Sequence, residues 1–174
     1  MIEHAPRLWP HDAAIRDTGR RFLARTLPKP EWTHEAHLST CAWLILERPD
    51  IAPERDLPDL VRRYNENVGG VNDATQGYHE TITQVFIAAV RGHLATTEGE
   101  GLSTRINALL QAPEGRRDWP LHFYSRELLF SPEARLGWVE PDLAPVPDIG
   151  TLSRSIDSPP QRGGAGGGGS AVCG

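Results

Sequence analysis

The fold is indicated most clearly by residues 78–96, which read YHETITQVFIAAVRGHLAT. Apolar residues recur three and four positions apart in this stretch, which is the spacing of one face of an α-helix. Helical spacing places the following side chains on that face: Ile82, Val85, Phe86, Ala89, Val90 and His93. The stretch therefore predicts a helix that buries this face in the core.

The same spacing recurs on both sides of this stretch and predicts an all-α fold. Further helices are expected at 12–26, 33–48, 56–68, 103–112 and 121–129, with one or two turns after residue 131. Their predicted N-terminal signals are Asp12, Thr33, Asp56 with Pro58, Ser103, and Ser131 with Pro132. Because no segment alternates apolar and polar residues, we expect a compact bundle of about five to six helices.

Composition indicates one helical domain over residues 1–143. A chain of 174 residues with 39% hydrophobic residues can form a single core. Residues 144–174 are rich in proline and glycine and include the run GGAGGGGS, so a flexible tail is expected there.

Charge and cysteine content restrict the class of function. The formal net charge is -5, from 18 basic and 23 acidic residues, and the basic residues are scattered. Nucleic-acid binding is therefore not expected, because neutralising phosphates requires clustered Lys and Arg. The N-terminal residues lack an apolar signal region, and no apolar stretch reaches the roughly 20 residues that cross a bilayer. Two cysteines without a pairing pattern favour a reducing, cytoplasmic location.

Three histidines lie where two predicted helices begin. The segment Thr33–His37 reads THEAH, and residues 77–81 read GYHET. His34 and His37 are one turn apart on one face, and His79 aligns with the apolar face of its own helix. All three imidazoles are therefore expected to point inward or into a cleft.

Short connections between the second, third and fourth helices favour antiparallel neighbours. The second and fourth helices would then be parallel, with both N-termini at the same end of the bundle. This arrangement would bring His34, His37 and His79 together, with Asn72 and Asp73 in the loop that returns to that end.

Three neutral imidazoles could bind a divalent transition metal, with Zn or Fe most suitable, and leave a coordination position open. Such a metal could support hydrolase or lyase chemistry, or non-haem iron chemistry. Glu80 would be the acid/base residue or orient an imidazole. Candidates for binding a small-molecule substrate are Asn72, Asp73, Tyr78 and Arg126.

The alternative is that the histidines are structural. A histidine on an apolar face usually forms a hydrogen bond with a carbonyl or hydroxyl group, and His-x-x-His occurs often by chance. The protein would then be a metal-free binding protein for small molecules or a protein-interaction module. His93 is interpreted as structural in either case. Cys41 is interpreted as a small apolar core residue, and the alternative is a nucleophile that lines the pocket floor if its thiol reaches the histidines.

Three segments together resemble a group of small uncharacterised bacterial α-helical proteins. The segments are WTHEAHL at 32–38, GYHETIT at 77–83 and FSPEAR at 130–135, and the resemblance covers roughly residues 10–143. It implies a bacterial, soluble, mainly helical domain and provides no catalytic assignment.

Overall fold

The structure, a computed structural model, describes residues 5–98 and 101–147 of the chain. Within these ranges it contains seven α-helices and no strand, which confirms the all-α prediction. The helices are α1 (Asp12–Leu23), α2 (His34–Glu47), α3 (Pro53–Asn67), α4 (Glu80–Ala95), α5 (Leu102–Gln111), α6 (Arg126–Leu129) and α7 (Pro132–Leu136). Three short 3₁₀ turns connect them, at Lys29–Glu31, Pro113–Gly115 and Trp119–His122. The Gly-rich part of the predicted tail lies outside the described residues.

Two helices begin at the predicted capping residues. The Thr33 hydroxyl accepts a hydrogen bond from the Ala36 N–H at 3.3 Å at the start of α2. The Ser131 hydroxyl accepts one from the Ala134 N–H at 3.2 Å at the start of α7. These caps satisfy N–H groups that have no partner within the first helical turn.

The predicted caps of α1 and α5 are wrong, for one shared reason. Asp12 caps α5 instead of its own helix, accepting hydrogen bonds from the Leu102 N–H at 3.2 Å and the Ser103 N–H at 2.7 Å. Ser103 lies inside α5 and donates its hydroxyl to Asp12 at 2.6 Å, while His11 caps α1. A local capping pattern cannot reveal that a side chain turns to a helix 90 residues away.

The third helix begins at Pro53, earlier than predicted, and includes Pro58. Pro58 has no N–H to donate to the Glu54 carbonyl one turn earlier. The Gln84 side chain of α4 donates to that carbonyl instead, at 3.1 Å. A side chain of the neighbouring helix α4 thus donates the hydrogen bond that Pro58 cannot. Pro58 therefore lies within α3 rather than at its start.

Helix α4 is central in the bundle. It packs against α2, α3, α5 and α7, and Ile87 and Ala88 are buried although they lie outside the predicted apolar face. One core cluster lies between α4 and the first helices, and a second lies between α4 and the C-terminal segments. Val146, beyond the predicted domain end at residue 143, is buried in the second cluster.

The predicted sixth helix over residues 121–129 is divided. A 3₁₀ turn ends at His122, and α6 begins only after Ser125. The extended backbone of Ser125 interrupts the helix, and its hydroxyl accepts a hydrogen bond from the Leu128 N–H at 3.2 Å.

Among the described residues, no helix has the length and apolar content needed to cross a membrane.

Replacing Asp12 with alanine tests the connection between α1 and α5. We expect Asp12→Ala to lower the free energy of unfolding by about 1–2 kcal/mol, because three hydrogen bonds to the start of α5 are lost. Urea denaturation at neutral pH measures this. Asp17→Ala is the matched control in the same helix, because Asp17 forms only an exposed ion pair with Arg21; equal losses in the two variants would contradict the capping role.

Candidate functional site

The starts of α2 and α4 border one cavity of about 360 Å³. His34, His37 and His79 all line it, together with Asn65 near the end of α3. This is the arrangement expected when α2 and α4 run in parallel and α3 returns between them. The predicted convergence of the three histidines is therefore present.

The cavity wall is mostly apolar and includes no Asp, Glu, Lys or Arg among the described residues. Besides the histidines and Asn65, the wall is formed by Trp32, Leu38, Cys41, Leu57, Val61, Gly77, Tyr78, Ile82, Thr83, Phe86 and Ile87. A concave, largely apolar site with few polar groups is typical of small-molecule pockets.

Both ring nitrogens of His79 form hydrogen bonds within the protein. Nδ1 accepts from the Ile82 N–H at 3.3 Å and caps α4, while Nε2 donates to the Leu129 carbonyl at 2.9 Å. This pattern requires a neutral ring, because Nδ1 must be unprotonated to accept. Burial lowers the pKa of His79, in agreement with the neutral form.

His34 also forms a hydrogen bond with a distant carbonyl group. Its Nε2 donates to the Gly115 carbonyl at 2.8 Å, and its ring packs edge-on against Phe86 at 5.1 Å between centroids. Burial lowers the pKa of His34, and the hydrogen bond to Gly115 opposes that shift only in part. A side chain at Gly115 would collide with the Leu109 carbonyl, since an added Cβ would lie 2.0 Å from its oxygen.

His37 differs from the other two histidines. It is exposed to the cavity, and its ring forms no hydrogen bond with the described residues. One ring face lies on Trp32, with centroids 3.9 Å apart and planes at 30°. Desolvation by the surrounding protein lowers its pKa to about 3. His37 is thus a neutral imidazole with free hydrogen-bonding nitrogens on the cavity wall.

The three rings do not form a metal-ligand set in this conformation. Within residues 5–98 and 101–147, no group of three or more His, Cys, Asp or Glu side chains is arranged to hold a metal ion. Coordination by His79 would require one of its nitrogens to leave Ile82 or Leu129. A Zn or Fe site at His34, His37 and His79 stays a prediction.

Glu80, the predicted acid/base residue, is not on the cavity wall. Its carboxylate accepts hydrogen bonds from the Tyr78 hydroxyl and the Gln84 amide, each at 2.9 Å. Glu80 follows His79 by one residue, so it projects from a different side of α4. Its contacts give it a structural role at the start of the helix.

Asn72 and Asp73, two of the predicted substrate-binding residues, stabilise their own loop. The Asn72 side chain donates to the Arg62 carbonyl at 3.0 Å and accepts from the Tyr78 N–H at 3.1 Å. Asp73 accepts from the Thr75 N–H at 2.8 Å and from its hydroxyl at 2.7 Å, and these bonds lower its pKa to about 2. Neither residue lines the cavity.

The other two predicted substrate residues are separated in the structure. Tyr78 is buried on the cavity wall, and the Arg62 guanidinium lies 4.4 Å from the centre of its ring. Burial raises the pKa of Tyr78 well above its ordinary value. Arg126 is exposed on α6, where it lies over the Phe130 ring at 5.2 Å and outside the cavity.

The sequence places Asn65, near the end of α3, close to the histidines, but it did not identify Leu57 and Val61 as part of the wall. Leu57 and Val61 line the cavity from α3, and their spacing looks like that of any core-facing pair. Cys41 forms part of the wall as anticipated, and burial raises the pKa of its thiol to about 12. No periodic signal separates a residue facing a cavity from one facing the core.

No protein-family model matches the chain, and no match was found among curated proteins or solved structures. The resemblance to small bacterial helical proteins stays a prediction.

The neutral histidines predict a loss of stability in acid. His34, His37 and His79 have lowered pKa values in the folded state, so the unfolded chain binds more protons below its histidine pKa of about 6.5. The contribution of these neutral histidines to the free energy of unfolding is therefore fully present above about pH 6.5. It falls as the pH decreases towards the pKa values of the folded state. We expect His37→Leu to reduce the loss between pH 7 and 5.5 by about 0.5–1 kcal/mol, after allowing for solvent screening in the cavity.

Urea denaturation at the two pH values measures this effect. His122→Leu is the control, because His122 is exposed outside the cavity. An unchanged pH dependence in His37→Leu would contradict a neutral, desolvated His37.

Proposed function

We propose that the cavity binds a small, uncharged, largely apolar molecule without a metal, and that His37 is its polar anchor. The observation that carries this proposal is the unpaired imidazole of His37 on an otherwise mostly apolar wall. A neutral imidazole offers one acceptor and one donor. A ligand with a hydroxyl, amide or ring N–H group could pair with it.

The electrostatics of the wall favour a neutral ligand. No formally charged side chain lines the cavity among the described residues, and the lowered histidine pKa values keep the rings uncharged at neutral pH. The raised pKa of Cys41 likewise keeps its thiol protonated. An anion or cation entering the cavity would lose hydration at a wall without a formally charged side chain among the described residues, which is costly.

The available hydrogen bonds restrict the ligand further. The Tyr78 hydroxyl donates to Glu80, and the Thr83 hydroxyl donates to the His79 carbonyl at 2.7 Å. The hydrogen-bonding capacity of His79 is also in use. A ligand therefore gains most of its affinity from apolar burial, and His37, whose ring forms no hydrogen bond with the described residues, fixes its orientation.

The cavity volume suits a molecule of one or two rings. At about 360 Å³ it lies at the lower end of the range of small-molecule sites, roughly 300–1,000 Å³. The predicted metalloenzyme would need hydrogen bonds of His79 to be exchanged for a metal bond. Among the described residues, no carboxylate lines the cavity to serve as a base, since Glu80 lies elsewhere.

Matched ligands test the proposed charge selectivity. We expect β-naphthol to bind at least tenfold more tightly than β-naphthoate or naphthylmethylammonium at pH 7, because only the alcohol enters without losing the hydration of a charge. Titration followed by amide chemical shifts in two-dimensional NMR measures the affinities and locates the ligand near Ile82 and Phe86. His37→Leu should weaken alcohol binding severalfold, whereas His122→Leu should not.

Metal analysis is the second arm of this test. The purified protein should bind the alcohol equally well before and after treatment with a chelator. The metal-free proposal would be overturned if the purified wild-type protein held stoichiometric zinc or iron and both His34→Ala and His79→Ala lost it. Tight binding of naphthoate would overturn the proposed charge selectivity.

A further inference from the structure

Three aromatic rings form a stacked column that ends at the cavity. The Phe22 ring of α1 stacks on Trp32, with centroids 4.3 Å apart and planes at 9°. Trp32 in turn lies on His37, at 3.9 Å and 30°. The column therefore leads from the buried core, where Phe22 is 1% exposed, to the imidazole on the cavity wall.

Neighbouring contacts hold this column in place. Tyr64 of α3 touches both Phe22 and Trp32, with ring centroids 5.4 and 5.3 Å away. Tyr64 is fully buried, and its hydroxyl donates to the Leu27 carbonyl at 3.0 Å. Because Trp32 is fixed between Phe22 and Tyr64, the ring that lies on it has one preferred orientation.

His37 lies on the cavity wall with one of its ring faces covered by protein. One face is covered by Trp32, while the residue as a whole is exposed and lines the cavity. An aromatic ring that is supported on one side and open on the other is a stacking surface for a further flat ring. Ile82 and Phe86 of α4 line the same cavity and add apolar surface for the rest of such a ring.

We infer that the cavity selects a flat, neutral aromatic ring that stacks on His37 and becomes the fourth member of the column Phe22–Trp32–His37. This inference rests on the proposed function and defines the class of ligand. A neutral imidazole is suited to this role because it stacks on a neutral aromatic ring without attracting a counter-ion. A saturated molecule of the same size and polarity would fill the cavity but could not stack.

The test compares β-naphthol with decahydro-β-naphthol, its saturated analogue with the same ten-carbon skeleton and one hydroxyl. We expect the wild-type protein to bind the aromatic alcohol about three- to tenfold more tightly, the range typical of one aromatic stacking contact. In His37→Leu the ratio of the two affinities should fall to about one. The naphthol hydroxyl is a stronger hydrogen-bond donor than the saturated one, so the ratio reports stacking and hydrogen bonding to His37 together, and the ring-current shift of the His37 protons identifies the stacking.

A spectroscopic readout on the wild-type protein makes the test independent of any variant. A stacked naphthyl ring should shift the His37 ring protons upfield through its ring current, whereas the saturated alcohol should not. His122→Leu, folded by circular dichroism, should keep the wild-type affinity ratio.

Each outcome separates this inference from the proposed function. Equal affinities without an upfield shift at His37 would overturn the inference and leave a pocket for neutral molecules. A preference for naphthol that persists in His37→Leu would also overturn it, since the selectivity would then come from another wall. Failure of both alcohols to bind would overturn the proposed function, and this inference with it.

Discussion

Two imidazole-to-carbonyl hydrogen bonds connect the starts of α2 and α4 to segments later in the chain. His34 donates to Gly115, and His79 donates to Leu129 while capping α4. These bonds join α2 and α4 to segments 81 and 50 residues away. Both require an imidazole with a proton on Nε2, and capping by Nδ1 of His79 further requires a neutral ring. The low pKa of His79 is therefore a condition of the fold as well as a consequence of burial.

The same hydrogen bonds determine which polar groups on the cavity wall remain available to a ligand. His79 uses both ring nitrogens and His34 uses Nε2, so His37 is the histidine of the three whose ring forms no hydrogen bond with the described residues. The carboxylate nearest in sequence to His79 is Glu80, which pairs with Tyr78 and Gln84 away from the cavity. The site predicted from the sequence has, in three dimensions, no Asp, Glu, Lys or Arg among the described lining residues, and the His37 ring forms no hydrogen bond with the described residues.

The sequence predicted those features that depend on local spacing. The caps at Thr33 and Ser131 and the gathering of three histidines at one end follow from helical period and short loops. The features it could not predict depend on partners far along the chain. Asp12 caps a helix 90 residues away. Pro58 is tolerated within α3 because Gln84 donates the hydrogen bond that the proline cannot. Two of the three histidines donate to distant carbonyl groups, those of Gly115 and Leu129.

Rigidity connects the fold to the proposed ligand. An unsupported imidazole would lose side-chain freedom on binding, and that entropy would reduce the affinity. In this protein the His37 side chain loses this freedom when the chain folds, because it lies on Trp32. Trp32 is itself fixed between Phe22 and Tyr64. The orientation of the His37 ring is therefore set by packing that exists before any ligand binds. Under the proposed function, the core packing of α1 and α3 would support the binding site, although Phe22 and Tyr64 do not line the cavity.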